Sequence, residues 1–184
     1  GTIANQRSAL VRPPIPVPPE SSAVHHLIDE DLAFAPQLDE VLDQFRGADA
    51  YVAHNADFER SFLQRHLGDA VWACTYKSAL RIWPDLPSHS NQALRYRLGL
   101  VNPFNIDRHT LSPHRALSDA IVTAAVFNEI AKHATWPELK KYIADHTPYR
   151  TTFRDIHELT VEGKRVLMFE IPPASPGHGQ ASVR

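Results

Sequence analysis

The chain has 184 residues, enough for one ordinary domain or one domain with a short appendage. Hydrophobic residues make up 43% of it and charged residues 22%, the make-up of a globular protein and not of a disordered or collagen-like one; no apolar run reaches the length of a membrane span. A formal net charge of -2 at pH 7 excludes histone-like and tail-driven binding, so a polyanion would have to be held by a local basic surface or by bound cations.

Residues Ser8 to Arg12 read as the end of a short strand. The prolines of Pro13-Pro14-Ile15-Pro16-Val17-Pro18-Pro19 then hold the backbone extended. The apolar Ile15 and Val17, and the Glu20-Ser21-Ser22 that follow, favour a loop packed on a domain over a proline-rich ligand for a partner. Asp29-Glu30-Asp31 starts a turn-and-helix region, and Leu38, Val41, Leu42 and Phe45 recur at helical spacing until Gly47 ends the pattern. Ala50-Tyr51-Val52-Ala53 is an apolar run of the kind that forms a buried strand in an α/β sheet. His54-Asn55 ends it, and Phe58, Phe62, Leu63 and Leu67 mark a helix from Asp57 onward.

Val71 to Thr75 predicts another strand, Lys77 to Trp83 another helix, and Pro84-Asp85-Leu86-Pro87 a turn. Ser90 is placed to cap a helix carrying Leu94, Tyr96 and Leu98, which stops at Gly99. A polar loop over 101–113 leads into a long helix from about His114 to Ala134. Ala116, Ala120, Ala124 and Phe127 recur there at near-helical intervals beside Ile121, Val122, Val126 and Ile130, which predicts a broadly buried helix. Trp136 to Ala144 reads as a further helix and Arg165 to Ile171 as a strand. The residues from Pro172 to Arg184, rich in Pro, Gly and Ser, read as disordered.

Two polar clusters could carry chemistry. His54-Asn55-Ala56-Asp57-Phe58-Glu59 lies where a strand hands over to a helix, the place where open α/β folds put their sites. Its carboxylates suit a hard divalent cation; alternatively they are acidic residues favourably placed in a first helical turn. In His114-Arg115-Ala116-Leu117-Ser118-Asp119, the His and Asp would lie about 140° apart around a regular helix. They converge on one cavity only if His114 sits just before the first turn. The alternative is an Asp119–Arg115 pair on a solvated face. The small Ala116 and Ala120 beside them would let a substrate or another backbone come close.

Together the clusters resemble the DEDD-type 3′-5′ exonucleases of the proofreading kind, and within them the exodeoxyribonuclease X branch. The resemblance runs from about Leu10 to Ala144. It rests on Leu10-Val11-Arg12-Pro13, Ala23-Val24-His25, Tyr51-Val52-Ala53-His54-Asn55-Ala56 with Phe58, Cys74-Thr75 with Leu80-Arg81-Ile82-Trp83-Pro84, Ser88-His89-Ser90, and His114-Arg115-Ala116 with Asp119-Ala120. It implies a ribonuclease-H-like α/β fold, a mixed sheet flanked by helices, truncated at its N-terminal end. It also implies two-metal hydrolysis at DNA 3′ ends, with Mg²⁺ or Mn²⁺ as cofactor, single-stranded DNA or DNA 3′ ends as partner, and 5′-mononucleotides as product.

By position in the family motifs, Asp119 is similar to a metal-binding aspartate. His114 is similar to the histidine that takes a proton from the attacking water, a role suited to an imidazole near neutral pH. Glu59 stands where the family carries an aspartate, keeping the charge with one methylene more reach, and Asp57 is the alternative ligand. His25, Asn55, Phe58, Arg108 and His109 are the expected substrate contacts.

The family's opening Asp-x-Glu strand has no counterpart here, since residues 1–9 hold no acidic group. Weak or no activity is therefore expected of this polypeptide, and the rival reading is a non-catalytic nucleic-acid-binding or interaction module. A zinc hydrolase built from the eleven histidines lacks the clustered ligand spacing that zinc needs. The exonuclease domain is expected over 1–147 and a short appendage over 148–184. Within the latter, Phe153 to Glu158 and Gly163 to Pro172 faintly resemble two strands of a schlafen-type AlbA_2 module. No membrane is expected as a partner. The single Cys74 cannot make an intrachain disulfide, and the first residues show no signal or transit pattern, so a cytoplasmic location is expected.

Overall fold

The computed structural model describes residues 2–144, 156–161 and 164–169. The chain divides into two units, Gly1–Asp145 and His146–Arg184.

In the first unit, the N-terminal arm runs without regular structure to α1 (Pro19–His25). The expected strand over Ser8 to Arg12 does not form. Among the described residues no strand pairs with it, and the segment is tied down by a backbone bond from Arg12 N to Pro36 O (2.9 Å). The prolines instead deliver a helix that the sequence reading placed in a loop: Pro18 and Pro19 supply a pre-set φ at its start. Two short helices follow, α2 (Asp29–Leu32) and α3 (Leu38–Leu42). Each is started by a carboxylate that reaches back to a free backbone N–H: Asp31 to Ile28 (3.0 Å) and Glu40 to Gln37 (3.0 Å). A 3₁₀ turn over Asp43–Phe45 ends the region before Gly47, whose φ of 78° suits glycine.

The centre of the unit is a parallel pair, β1 (Tyr51–Ala53) and β2 (Trp72–Cys74), joined by the crossover helix α4 (Ala56–Leu67). β2 is buried along its whole length. Its alternating side chains enter two cores. Ala73 joins Ala79, Leu94, Val122, Val126, Ile130 and Leu139, while Trp72 and Cys74 join Ala53, Ala56 and Ile143. Apart from Ala53 of β1 and Ala56 of α4, those partners come from α5 (Thr75–Ile82), α6 (Asn91–Arg97), α7 (Ala116–Ile130) and α8 (Trp136–Ala144). Ser90 caps α6 as the sequence predicts, accepting from Ala93 N (3.3 Å).

The long helix starts two residues later and ends four earlier than its sequence pattern. That shift leaves His114 in the turn ahead of α7, with φ of 61°. Its buried residues are Ser118, Ile121, Val122, Thr123, Ala125, Val126 and Ile130, whereas Ala116 and Ala120 stay exposed.

The second unit holds an antiparallel pair, β3 (Ile156–Val161) and β4 (Lys164–Phe169), in register from Ile156 opposite Phe169 to Val161 opposite Lys164. The strand expected over Arg165 to Ile171 thus begins one residue earlier. The disorder expected for Pro172 to Arg184 lies outside the described residues.

Candidate active site

The first cluster is built at the β1-to-α4 handover. Asn55 takes the left-handed conformation (φ 71°, ψ 52°), which Asn tolerates better than most residues, and its carbonyl accepts from Phe58 N (2.9 Å). The chain thereby turns from strand to helix in one step, and Asp57, Phe58 and Glu59 all fall in the first helical turn. Cys74, fully buried, sets the join from beneath: its Sγ accepts from Ala56 N and from Lys77 N, both at 3.4 Å. The starts of α4 and α5 are thus held by one sulfur atom.

The carboxylates of this turn have different partners. Asp57 Oδ2 lies 2.6 Å from Lys77 Nζ, and the lysine, only 2% exposed, also donates to Ile143 O (3.3 Å). Glu59 Oε2 is buried and has no hydrogen-bond partner. Burial raises the Glu59 pKa above the ordinary carboxylate value, its own backbone N–H offsetting part of the rise. Phe58 projects outward, 59% exposed, and makes an edge contact with Phe62 (centroids 5.1 Å apart).

His54, between β1 and Asn55, binds Thr75 Oγ1 through Nδ1 (2.9 Å) and touches the edge of Tyr76. Burial lowers its pKa to about 4, against a smaller opposite effect from the His89 backbone. That backbone stands near, but no acceptor or donor lies within bonding distance of Nε2.

The second cluster forms where α7 begins. Asp119 donates its backbone N–H to Arg115 O (2.9 Å), as the first turn of α7 requires. Arg115 Nη1 donates to His25 O (3.1 Å), bringing His25 beside the residue that follows His114. The backbone N–H and the ring of His114 both favour the ionised Asp119 carboxylate, which also accepts from Gln92 Nε2 (3.3 Å). Burial outweighs them and leaves its pKa raised. His114 and Asp119 are therefore neighbours, with the His114 side chain exposed to solvent.

Arg108 and His109 lie on an exposed 3₁₀ turn, Arg108–Thr110. The turn is braced within its own loop, by Asn102 Oδ1 on Arg108 N (3.0 Å) and Asp107 Oδ1 on His109 N (2.9 Å). Gln92 and Asn91 carry no signal in the sequence, and Lys77 reads there only as the start of a helix and one of several basic residues. Their contribution comes from contacts 20 or more residues away along the chain, for which no local pattern exists; the Ser90 cap and the Leu94, Tyr96 and Leu98 spacing point to α6 but not to its partners.

The donor set fits a divalent cation in kind. Glu59 and Asp119 offer hard oxygens, both are partly buried, and Glu59 Oε2 is orphaned. In number it falls short, because among the described residues no three His, Cys, Asp or Glu side chains gather to hold a metal ion.

A short parallel sheet with a crossover helix, acidic residues at the handover, and a His ahead of an Asp-bearing helix define a ribonuclease-H-like α/β nuclease. Residues 2–127 match the model of the RNase_T family, described as Exonuclease, and the chain belongs to that family. It is 36% identical over 138 residues to exodeoxyribonuclease 10 of Escherichia coli K12, covering 74% of this chain and 59% of that protein. The DNA polymerase III subunit epsilon of Treponema pallidum is 29% identical over 161 residues, 75% of this chain and 71% of that protein. A solved structure, exonuclease X in complex with 5′ overhanging duplex DNA, superposes with a TM-score of 0.60 at 30% identity, covering 77% of this chain and 86% of that one. The chain thus spans about three fifths of the length of exodeoxyribonuclease 10. No helix among the described residues is long and apolar enough to cross a membrane.

Proposed function

We propose that this chain is a 3′-5′ exonuclease domain that removes 5′-mononucleotides from DNA 3′ ends, with single strands as the preferred form. The observation that carries the reading is the nearness of His114 to Asp119 at the head of α7, in a protein where a second carboxylate, Glu59, with its Oε2 orphaned, sits at the strand-to-helix handover.

Glu59 and Asp119 are the residues that would hold Mg²⁺ or Mn²⁺, and the cations would supply charge neutralisation at the phosphate and at the leaving oxygen. Asp57 is the weaker candidate, since Lys77 already neutralises it. His114, exposed and outside the regular helix, takes the proton of the attacking water as the water oxygen bonds to phosphorus and the bond to the 3′ oxygen breaks. Asp119 stands beside that histidine at the head of α7. The exposed ring of Phe58 is suited to stack on a terminal base. Asn55, His25, Arg108 and His109 complete the proposed contacts to substrate. The buried Cys74, with no disulfide, accords with a cytoplasmic site of action.

Fewer than three metal donors gather among the described residues, so slow turnover by this polypeptide is part of the proposal. The same observation favours a second reading, a nucleic-acid-binding module without catalysis. Incubation of a 5′-labelled single-stranded oligonucleotide with the chain separates them, run with Mg²⁺, with Mn²⁺, with chelator, and with His114→Ala. Slow shortening from the 3′ end that needs metal and His114 is the expected result. Oligonucleotide binding with no shortening would establish the module instead. Cleavage that ignores chelator or His114 would overturn the assigned chemistry.

A further inference from the structure

Arg95, on α6, is the largest fully buried side chain among the described residues, 1% exposed. A guanidinium stays charged in any folded environment, and a buried charge without compensation is costly. Among the described residues no carboxylate pairs with it. Nη2 donates to Val101 O (2.9 Å), and Nη1 to Leu111 O (3.5 Å) and to Gln92 Oε1 (3.3 Å), while Nε has no acceptor. The carboxylate it reaches lies one side chain further out: Gln92 Nε2 donates to Asp119 Oδ1 (3.3 Å).

Only one sense of the Gln92 amide satisfies both neighbours. Turned over, it would set its oxygen against the Asp119 carboxylate and its N–H groups against the guanidinium. The two backbone carbonyls that Arg95 holds, of Val101 and Leu111, bound the loop that carries Arg108 and His109, and the second lies three residues before His114. A second side chain of α6 reinforces the link, as Asn91 Nδ2 donates to Asp119 O (3.0 Å).

We propose that Arg95 is a positioning residue of this site: it orients the Gln92 amide so that an N–H faces Asp119, and it clamps both ends of the 101–111 loop that leads to His114. One buried cation thereby fixes the carboxylate and the approach to the histidine together. A lysine could not replace it, because a point charge on a flexible stem lacks the planar fork that reaches three acceptors in different directions. The inference rests on the reading of His114 and Asp119 as the reacting pair, but its geometry does not depend on turnover.

The test is ¹H–¹⁵N NMR of the chain without DNA or metal, so its failure is distinct from failure of the nuclease reading. Asp119→Asn is expected to move the Gln92 side-chain N–H₂ signals and leave the backbone amides of 101–111 in place. Arg95→Lys, which keeps the buried charge, is expected to move both sets. Gln92 signals unchanged by Arg95→Lys in a protein with native circular dichroism, or unchanged by Asp119→Asn, would overturn the proposal. Should Arg95→Lys fail to fold, Gln92→Leu gives the answer: the Asp119 amide shifts and the 101–111 amides do not, and an unmoved Asp119 amide overturns the relay.

Discussion

Lys77 and Asp57 form an ion pair (2.6 Å) that joins the first turn of α4 to α5, and the lysine end is buried while the aspartate end is half exposed. The carboxylate that a sequence reading offers to a metal is thus already engaged with a cation. Asp57→Ala would strand the Lys77 ammonium with only Ile143 O as partner. A loss of about 2 kcal/mol is expected, below the value for a fully buried pair because water reaches the aspartate side. Urea denaturation measures it. Lys77→Met should cost less, since it leaves a carboxylate that water can solvate.

Cys74 offers a second test of how the handover is built. Cys74→Ala removes the acceptor for two backbone N–H groups, of Ala56 and Lys77, in a fully buried place. A destabilisation of about 2 kcal/mol is expected, with Cys74→Ser closer to the parent because a hydroxyl still accepts. The native protein should resist thiol reagents until it is unfolded.

His54 makes stability depend on pH. Its pKa falls from 6.5 to about 4 on burial, so between those values the unfolded chain binds more protons than the folded one. The neutral ring's contribution is complete above pH 6.5 and is lost as pH falls toward 4, at most about 3 kcal/mol in total. The difference between parent and His54→Phe denaturation curves over that window should show this slope. Equal slopes would mean that the ring titrates as freely in the folded protein as in the unfolded one.

Glu59 acts with the opposite sign. Burial raises its pKa, so the ionised carboxylate opposes folding at neutral pH, and stability is recovered as pH falls through the raised value. Glu59→Gln is expected to raise the urea midpoint at pH 7, to lose that advantage in acid, and to abolish metal-dependent nuclease activity.

The handovers were legible because local chemistry writes them. An apolar run ending in His54-Asn55, followed by helical spacing from Phe58, places three polar side chains at a strand end; a histidine after Pro113 precedes an alanine-rich helix. Even the condition for His114 and Asp119 to meet could be stated in advance, and the positive φ of His114 meets it. The strand expected over Ser8 to Arg12 failed for the reason that strands fail generally, since a strand is defined by a neighbour that the segment itself does not encode.

Residue type and spacing by themselves determined the α/β class, the order of the elements from β1 to α8, the two polar clusters and the family they resemble, because periodicity, caps and turns act over a few residues. Only the tertiary structure decided which carboxylate is engaged and which is orphaned. Asp57 and Glu59 stand two residues apart with the same charge, yet one meets Lys77 and the other leaves its buried Oε2 without a partner. The electrostatics of a buried group are set by what packs against it from distant parts of the chain, and Lys77, Gln92 and Arg95 reach their partners only once the helices have docked.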